Sequence, residues 1–300
     1  SFRLLITIGN DCSERGFIEM NAEIISVGTE LLLGEIVNTD ARFIASELSE
    51  LGINVFYQTV VGDNAERLES VLKLAFSRSD LIIATGGLGP TQDDITKEVI
   101  SEFCGRKLIL NEESLSAMKE YLRKKGREMP ECNIKQAMLP EGCIILPNSC
   151  GTAPGCIIED NGKAVIMLPG PPHELEQMFL QSVKPYLESK TDSMIYSENL
   201  KIYGMGESRV CELLGEYISE YSNPTVAPYA ESPGVRVRIT SKCTSEEEGI
   251  KAVAKIKENI KAILGDVIYS DKGEALPEAV VHMLTEKNMT ISSAESCTGG

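Results

Sequence analysis

Short apolar runs that break directly into loops of glycine, proline and acidic residues constrain this chain more than any other feature. Ala22–Gly28 leads into Gly28-Thr-Glu-Leu-Leu-Leu-Gly34, and Leu81–Gly86 leads into Thr85-Gly-Gly-Leu-Gly-Pro-Thr-Gln-Asp-Asp94. Ala164–Pro169 leads into Pro169-Gly-Pro-Pro-His-Glu174. Between Met20 and about Lys190 such runs alternate with amphipathic stretches, the pattern of an α/β sheet covered by helices. Further strands are predicted at Ile53–Gly62, Cys143–Leu146 and Gly155–Glu159, with helices over Asn38–Leu51, Ala65–Ser77, Glu112–Lys125 and His173–Leu187. Loops that follow parallel strands gather at the carboxyl edge of the sheet, where ligands bind, so parallel pairing would place all three around one crevice.

Beyond Lys190 the order changes. Strand Met194–Tyr203, helix Glu207–Tyr221, strands Val226–Ala230 and Gly234–Ser241, helix Glu246–Leu264 and strand Asp266–Ser270 read as a small α+β, split-βαβ domain. Thr244 with Glu247, or Ser245 with Glu248, forms a capping box for its last helix. One more amphipathic helix over 275–289 leads into a strand at Thr290–Ser296. The expected organisation is an upstream leader over 1–19, with Met20 as the true start, then domains over 20–190 and 191–272, and the opening of a further domain over 273–300.

Composition narrows the function. The net charge of −16 repels nucleic acid and anionic membranes, so an anionic ligand must be held by local dipoles, a few basic groups or a metal. No apolar run approaches the ~20 residues of a membrane span. Nine cysteines without a CxxC pair, beside only two histidines (His173 and His282), argue against structural zinc and for reduced thiols in a cytoplasmic protein.

Chemistry concentrates in the loops. Gly86, Gly87 and Gly89 permit positive φ and let successive backbone N–H groups converge on an oxyanion. Asp93 and Asp94 are anions in that same loop and would repel a phosphate unless a divalent cation lies between, or unless they contact a ribose or base. Glycines for phosphate with carboxylates for metal is therefore the coherent reading. Simpler roles compete with it: Asp94 as the cap of the following helix, Asp63 or Asn64 as the cap of the helix from Ala65, and Glu30 as a first-turn dipole partner. His173 is expected to be exposed in a first helical turn, and Arg236 and Arg238 to lie on the solvated face of a half-buried strand.

Val27-Gly-Thr-Glu-Leu-Leu-Leu-Gly-Glu-Ile-Val-Asn-Thr39, Thr85–Glu98 and Leu168-Pro-Gly-Pro-Pro-His-Glu-Leu175 resemble the CinA (competence/damage-inducible) family from Met20 to Gly300. The resemblance implies a three-layer αβα MoaB/Mog-like domain, a KH-like domain, and at Ala294-Glu-Ser-Cys-Thr-Gly-Gly300 the start of a nicotinamide-nucleotide amidase. It implies a metal-dependent ADP-ribose pyrophosphatase of pyridine-nucleotide recycling, forming AMP and ribose 5-phosphate. Asp94, Asp93 and Glu30 would hold Mg²⁺, Mn²⁺ or Co²⁺, and Gly28, Asn38, Asp63, Thr85, Gly86, Gly87, Gly89 and Gly170 would line the substrate. Asp94 takes the place of one functional Asp of the molybdopterin enzymes, and Asp63 resembles the other. Those enzymes carry TGGTG followed by Arg-Asp, where this chain has TGGLG followed by Asp93-Asp94. Ser296 would be the nucleophile deamidating nicotinamide mononucleotide, an activity this chain is expected to lack because the domain is essentially absent. A homodimer is the expected assembly. The second domain has Gly204-Met-Gly206 in place of Gly-x-x-Gly, which argues against RNA binding. A molybdenum-cofactor enzyme and a non-catalytic, competence-associated nucleotide sensor are the alternatives.

Overall fold

The computed structural model describes residues 20–160, 162–190 and 194–297, so the expected leader over 1–19 lies outside the described residues. Two compact units divide between Asp192 and Ser193. In the first, the chain runs β1 (Asn21–Val27), α1 (Thr29–Leu33), α2 (Thr39–Glu50), β2 (Asn54–Val61), α3 (Ala65–Arg78), β3 (Leu81–Thr85) and α4 (Thr96–Phe103). It continues through β4 (Leu108–Leu110), α5 (Glu112–Lys124), β5 (Met138–Pro140), β6 (Ile144–Leu146), β7 (Gly155–Asp160), β8 (Lys163–Leu168), α6 (Pro172–Met178) and α7 (Lys184–Glu188).

The six-stranded sheet has the order β2-β1-β3-β8-β7-β6, with β2, β1, β3 and β8 parallel and β7 antiparallel to both its neighbours. Alternating residues of the central strands feed two cores. Ile24 and Ile83 meet Ile44 and Leu48 of α2 and Leu175 of α6 on one face. Ile25, Ile82 and Ala84 meet Leu68 and Leu72 of α3 and Ile100 of α4 on the other. Helices therefore cover both faces, and β3 is buried along its whole length, as a two-sided parallel strand must be. Among the described strand residues of this sheet the fully buried charge is Glu23, in β1. Its carboxylate accepts from Arg78 Nε at 2.9 Å and from Thr59 Oγ1 at 2.9 Å, while the Arg78 guanidinium stacks on Tyr57.

Two local features differ from the sequence expectation, and one open alternative is resolved. Leu108–Leu110 pairs with Met138–Pro140 as a separate two-stranded sheet, too short to show a period-two pattern. The helix expected from His173 starts at Pro172, whose fixed φ suits the first turn, and relaxes into a π turn over Phe179–Val183 ahead of Pro185, which has no N–H to donate. Asn64, not Asp63, caps α3, accepting from Arg67 N.

The second unit comprises β9 (Met194–Ile202), α8 (Glu207–Leu213), α9 (Gly215–Ser219), β10 (Thr225–Glu231), β11 (Gly234–Cys243), α10 (Glu246–Leu264), β12 (Ile268–Ser270) and α11 (Leu276–Glu286). Its antiparallel sheet has the order β10-β11-β9-β12, and α10 packs on one face through Val253, Ile256 and Ile260. The expected single helix Glu207–Tyr221 breaks at Leu214–Gly215, where glycine weakens helix propagation. Ser245 caps α10, and Glu248 reaches back to Thr244, so the Ser245–Glu248 register holds. Thr290–Ser296 forms no strand: no described strand pairs with it, and an unpaired strand has no ladder to hold it. Among the described residues no helix is long and apolar enough to cross a membrane.

Candidate functional site

At the carboxyl edge of the parallel strands the three loops enclose a cavity of about 570 Å³. Its wall includes Gly28, Glu30, Asn38, Asp63, Thr85, Gly86, Gly87, Gly89, Asp93, Asp94 and Gly170, so the crevice residues singled out in the sequence share one space. Ser296 is exposed and lies outside it, in the second unit. His173 is exposed and does not line it.

Each loop has a physical reason for its shape. Gly86 and Gly87 adopt φ of +88° and +66°, and a Cβ would strike Val27 O at the first and Thr96 Oγ1 at the second. Gly170 packs against Gly86, a Cβ there lying 3.4 Å from the Gly86 Cα. Strands β3 and β8 can therefore bring their loops together. The Gly86 N–H donates to Leu168 O at 3.1 Å, so it cannot serve an oxyanion as expected. The N–H groups of Gly87, Leu88 and Gly89 donate to no protein acceptor among the described residues.

Asp63 and Asp94 are held in the same way. Thr29 donates to Asp63 Oδ2 through N (2.9 Å) and Oγ1 (2.8 Å), and Thr91 donates to Asp94 Oδ2 through N (2.9 Å) and Oγ1 (2.5 Å). Neither aspartate caps the helix that follows it: Asn64 caps α3, and α4 follows Ile95 without any side-chain cap. The helix-cap readings of Asp63 and Asp94 are thereby replaced by a Thr–Asp lock that fixes each carboxylate through one oxygen. Asp94 packs onto Gly89, where a Cβ would collide with it, and Glu30 folds back over Gly28.

Four further residues contribute that the loop motifs did not point to. Asp40, in the first turn of α2, lines the cavity with Oδ1 buried and unpartnered. Burial, with the nearby Glu176 charge, raises its carboxyl to about 6. Its only sequence signal was the N-cap Asn38, whose Oδ1 accepts from Ala41 N at 3.1 Å and so fixes that first turn. Lys97, 1% exposed, donates from Nζ to Lys135 O (3.0 Å) and Gln136 O (2.8 Å), and burial pulls its ammonium down to about 8. Lys135 Nζ in turn donates to the carbonyls of Thr91 and Asp94. The two lysines cross-brace the Asp94 loop and a 3-10 turn over Glu131–Ala137, which delivers Gln136 to the cavity wall.

Six carboxylates line the cavity (Glu30, Asp40, Asp63, Asp93, Asp94 and Glu174), with no Lys, Arg or His among the lining residues. Among the described residues no three of His, Cys, Asp or Glu converge closely enough to hold a metal ion by themselves.

The mixed six-stranded sheet with helices on both faces places the first unit in the three-layer α/β class. Residues 23–189 match the family described as "Probable molybdopterin binding domain", and residues 197–270 match "Damage-inducible protein CinA KH domain". The chain belongs to the CinA family. It is 50% identical over 281 residues to a CinA-like protein of Dictyoglomus turgidum, covering 94% of this chain and 68% of that one. A CinA-like protein of Kosmotoga olearia is 50% identical with the same coverage. The crystal structure of CinA from Thermoplasma acidophilum, described as of unknown function, superposes with a TM-score of 0.52 at 38% identity, over 56% of this chain and 98% of that one.

Proposed function

We propose that the first unit binds a phosphate-bearing small molecule in this cavity and, with a divalent cation, hydrolyses a pyrophosphate linkage such as that of ADP-ribose. One observation carries the reading: Asp94, locked by Thr91, abuts a glycine turn whose Gly87–Gly89 N–H groups have no protein acceptor. Backbone N–H groups there suit a phosphate oxygen, and the unlocked Asp94 Oδ1 can accept a proton from an attacking water.

The donor set is compatible with Mg²⁺, Mn²⁺ or Co²⁺, because the candidate ligands are hard carboxylate oxygens. Asp94, Asp93 and Glu30 would hold the ion together with oxygens of the ligand itself, since no protein triad completes the set. When bound, the ion supplies charge neutralisation and water activation. The chain's own residues do the rest: the glycine turn holds the phosphate, Asp63 stays locked by Thr29, and Asn38 is positioned by donating to Ser26 Oγ at 2.9 Å.

A second reading has its own support. The match over residues 23–189 is to a domain described as molybdopterin-binding, which favours a phosphorylated pterin in the same cavity more directly than it favours a nucleotide. Family membership further suggests deamidation of nicotinamide mononucleotide in the full-length protein, with Ser296 as nucleophile. Incubation with ADP-ribose and each of the three metals, read by AMP release, tests the hydrolase. Saturable molybdopterin binding without AMP release would replace it with the pterin reading.

A further inference from the structure

Outside the three loops, the strongest unassigned feature is the side chain of Gln136. It is 3% exposed yet lines the cavity, and its backbone is pinned from behind by Lys97. The Cys132 thiol contacts Asn133 Oδ1 at 3.6 Å, which turns Asn133 Nδ2 toward Gln136 Oε1 at 2.9 Å. That contact fixes the amide's orientation: the oxygen is engaged within the protein, and Nε2 has no protein acceptor among the described residues.

The surroundings make this donor distinctive among the amide and ionisable groups of a wall that also holds the hydroxyls of Thr39, Thr85 and Thr152. The other amide in the cavity wall, Asn38, uses Nδ2 on Ser26 and Oδ1 on Ala41. All six ionisable lining side chains are carboxylates and accept rather than donate when ionised. Lys135, adjacent to Gln136, holds the carbonyls of Thr91 and Asp94, so the amide is braced to the very loop that carries Asp94.

We propose that Gln136 is the side-chain donor that reads an anionic phosphoryl oxygen of the ligand bound at Gly87–Gly89, with Asn133 and Lys97 as its positioning residues. This deepens the phosphate-binding reading above and rests on it, but not on hydrolysis. A neutral donor suits the place: it contacts the anion without cancelling the carboxylates, and, locked in advance, it loses little side-chain entropy on binding.

Calorimetry with inorganic pyrophosphate plus Mg²⁺, with ADP-ribose plus Mg²⁺, and with adenosine as the phosphate-free control tests this in Gln136→Met and Gln136→Glu. Affinity for both phosphate ligands is expected to fall about tenfold in the Met variant and about a hundredfold in the Glu variant, with adenosine unchanged. Asn133→Leu, which releases the amide's orientation but keeps the donor, is expected to lose about threefold, and it provides the readout if the Gln136 variants fail to fold. Undiminished phosphate affinity in folded Gln136→Met, or an equal loss for adenosine, overturns the proposal. AMP release measured in parallel separates the two readings. A wild-type protein that binds pyrophosphate through Gln136 yet releases no AMP sinks hydrolysis alone. A folded Gln136→Met enzyme with wild-type KM and kcat sinks the Gln136 assignment alone. A wild-type protein that binds neither phosphate ligand overturns both.

Discussion

The two units solve the same packing problem with opposite consequences for chemistry. Strand β3 is buried on both faces, whereas β11 alternates half-buried and buried residues from Gly234 to Cys243. In the first unit, parallel strands need helical crossovers, so β1, β3 and β8 all end at one edge and their loops converge. In the second, antiparallel neighbours send successive strand ends to opposite edges, and Lys201 and Arg236 both meet Glu231 across the open face. On the face that α10 covers, Lys257 of that helix meets Glu198 at 2.5 Å. Parallel topology therefore concentrates polar groups into a cavity, while antiparallel topology spreads them as partly solvated ion pairs.

The sharpest break in that contrast is at Asp94. Asp94→Asn keeps an oxygen to accept from Thr91 but removes the charge, and turnover of a pyrophosphate substrate is expected to fall about a thousandfold or more, ~4 kcal/mol in the barrier. Unchanged kcat at unchanged metal dependence would remove Asp94 from the chemistry.

Burial should separate the ion pairs next. Arg78→Ala strands the fully buried Glu23 carboxylate and is expected to cost about 3 kcal/mol, against under ~1 kcal/mol for Arg236→Ala, whose partner Glu231 is partly solvated. Urea unfolding of the two variants checks the ranking, and equal costs would refute the difference drawn between the sheets.

Gly87→Val places a branched side chain at φ +66° and against Thr96 Oγ1. A drop of about a hundredfold in ligand affinity is expected, since the turn must move and its N–H groups with it. Wild-type affinity by calorimetry would locate the phosphate cradle elsewhere.

Asp40 offers the smallest effect and a pH signature. Its folded carboxyl titrates near 6 against an ordinary value of 3.8, so the folded state binds more protons between those values and stability falls as pH rises through that window. Asp40→Asn should remove that fall and stabilise the protein at pH 7 by about 1 kcal/mol, a figure reduced for solvent screening of a half-exposed group. Melting temperatures at pH 4, 5, 6 and 7 measure it; a parallel offset at every pH would exclude Asp40 titration as the cause.

Much of the cavity was legible because its residues stand next to strand ends. Gly28, Gly86 and Gly170 each follow an apolar run within a residue or two, and a continuous apolar run punctuated by glycine is a local signal. Gln136 and Lys135 carry no such signal. They sit in a short 3-10 turn between α5 and β5, and reach the site only because Lys97 and Lys135 cross-brace it. The roles of Asp63 and Asp94 were open in the sequence, since a carboxylate before a helix reads equally as cap or ligand. Geometry decided against both caps, because the partners are Thr29, 34 residues away, and Thr91, three residues back in the loop.

The amino-acid sequence by itself determined the alternation of strands and helices, the change to an α+β order after Lys190, and the glycines without which the Thr85–Asp94 loop could not turn. Those properties depend on side-chain period and backbone freedom, which act over a few residues. Tertiary structure decided which carboxylates share a cavity, that Glu23 is buried against Arg78, that Asp40 is raised to about 6, and that Gln136 joins the cavity wall. Each of these depends on burial and on partners 30 or more residues distant or on another element, and desolvation is a property of the packed chain rather than of any segment within it.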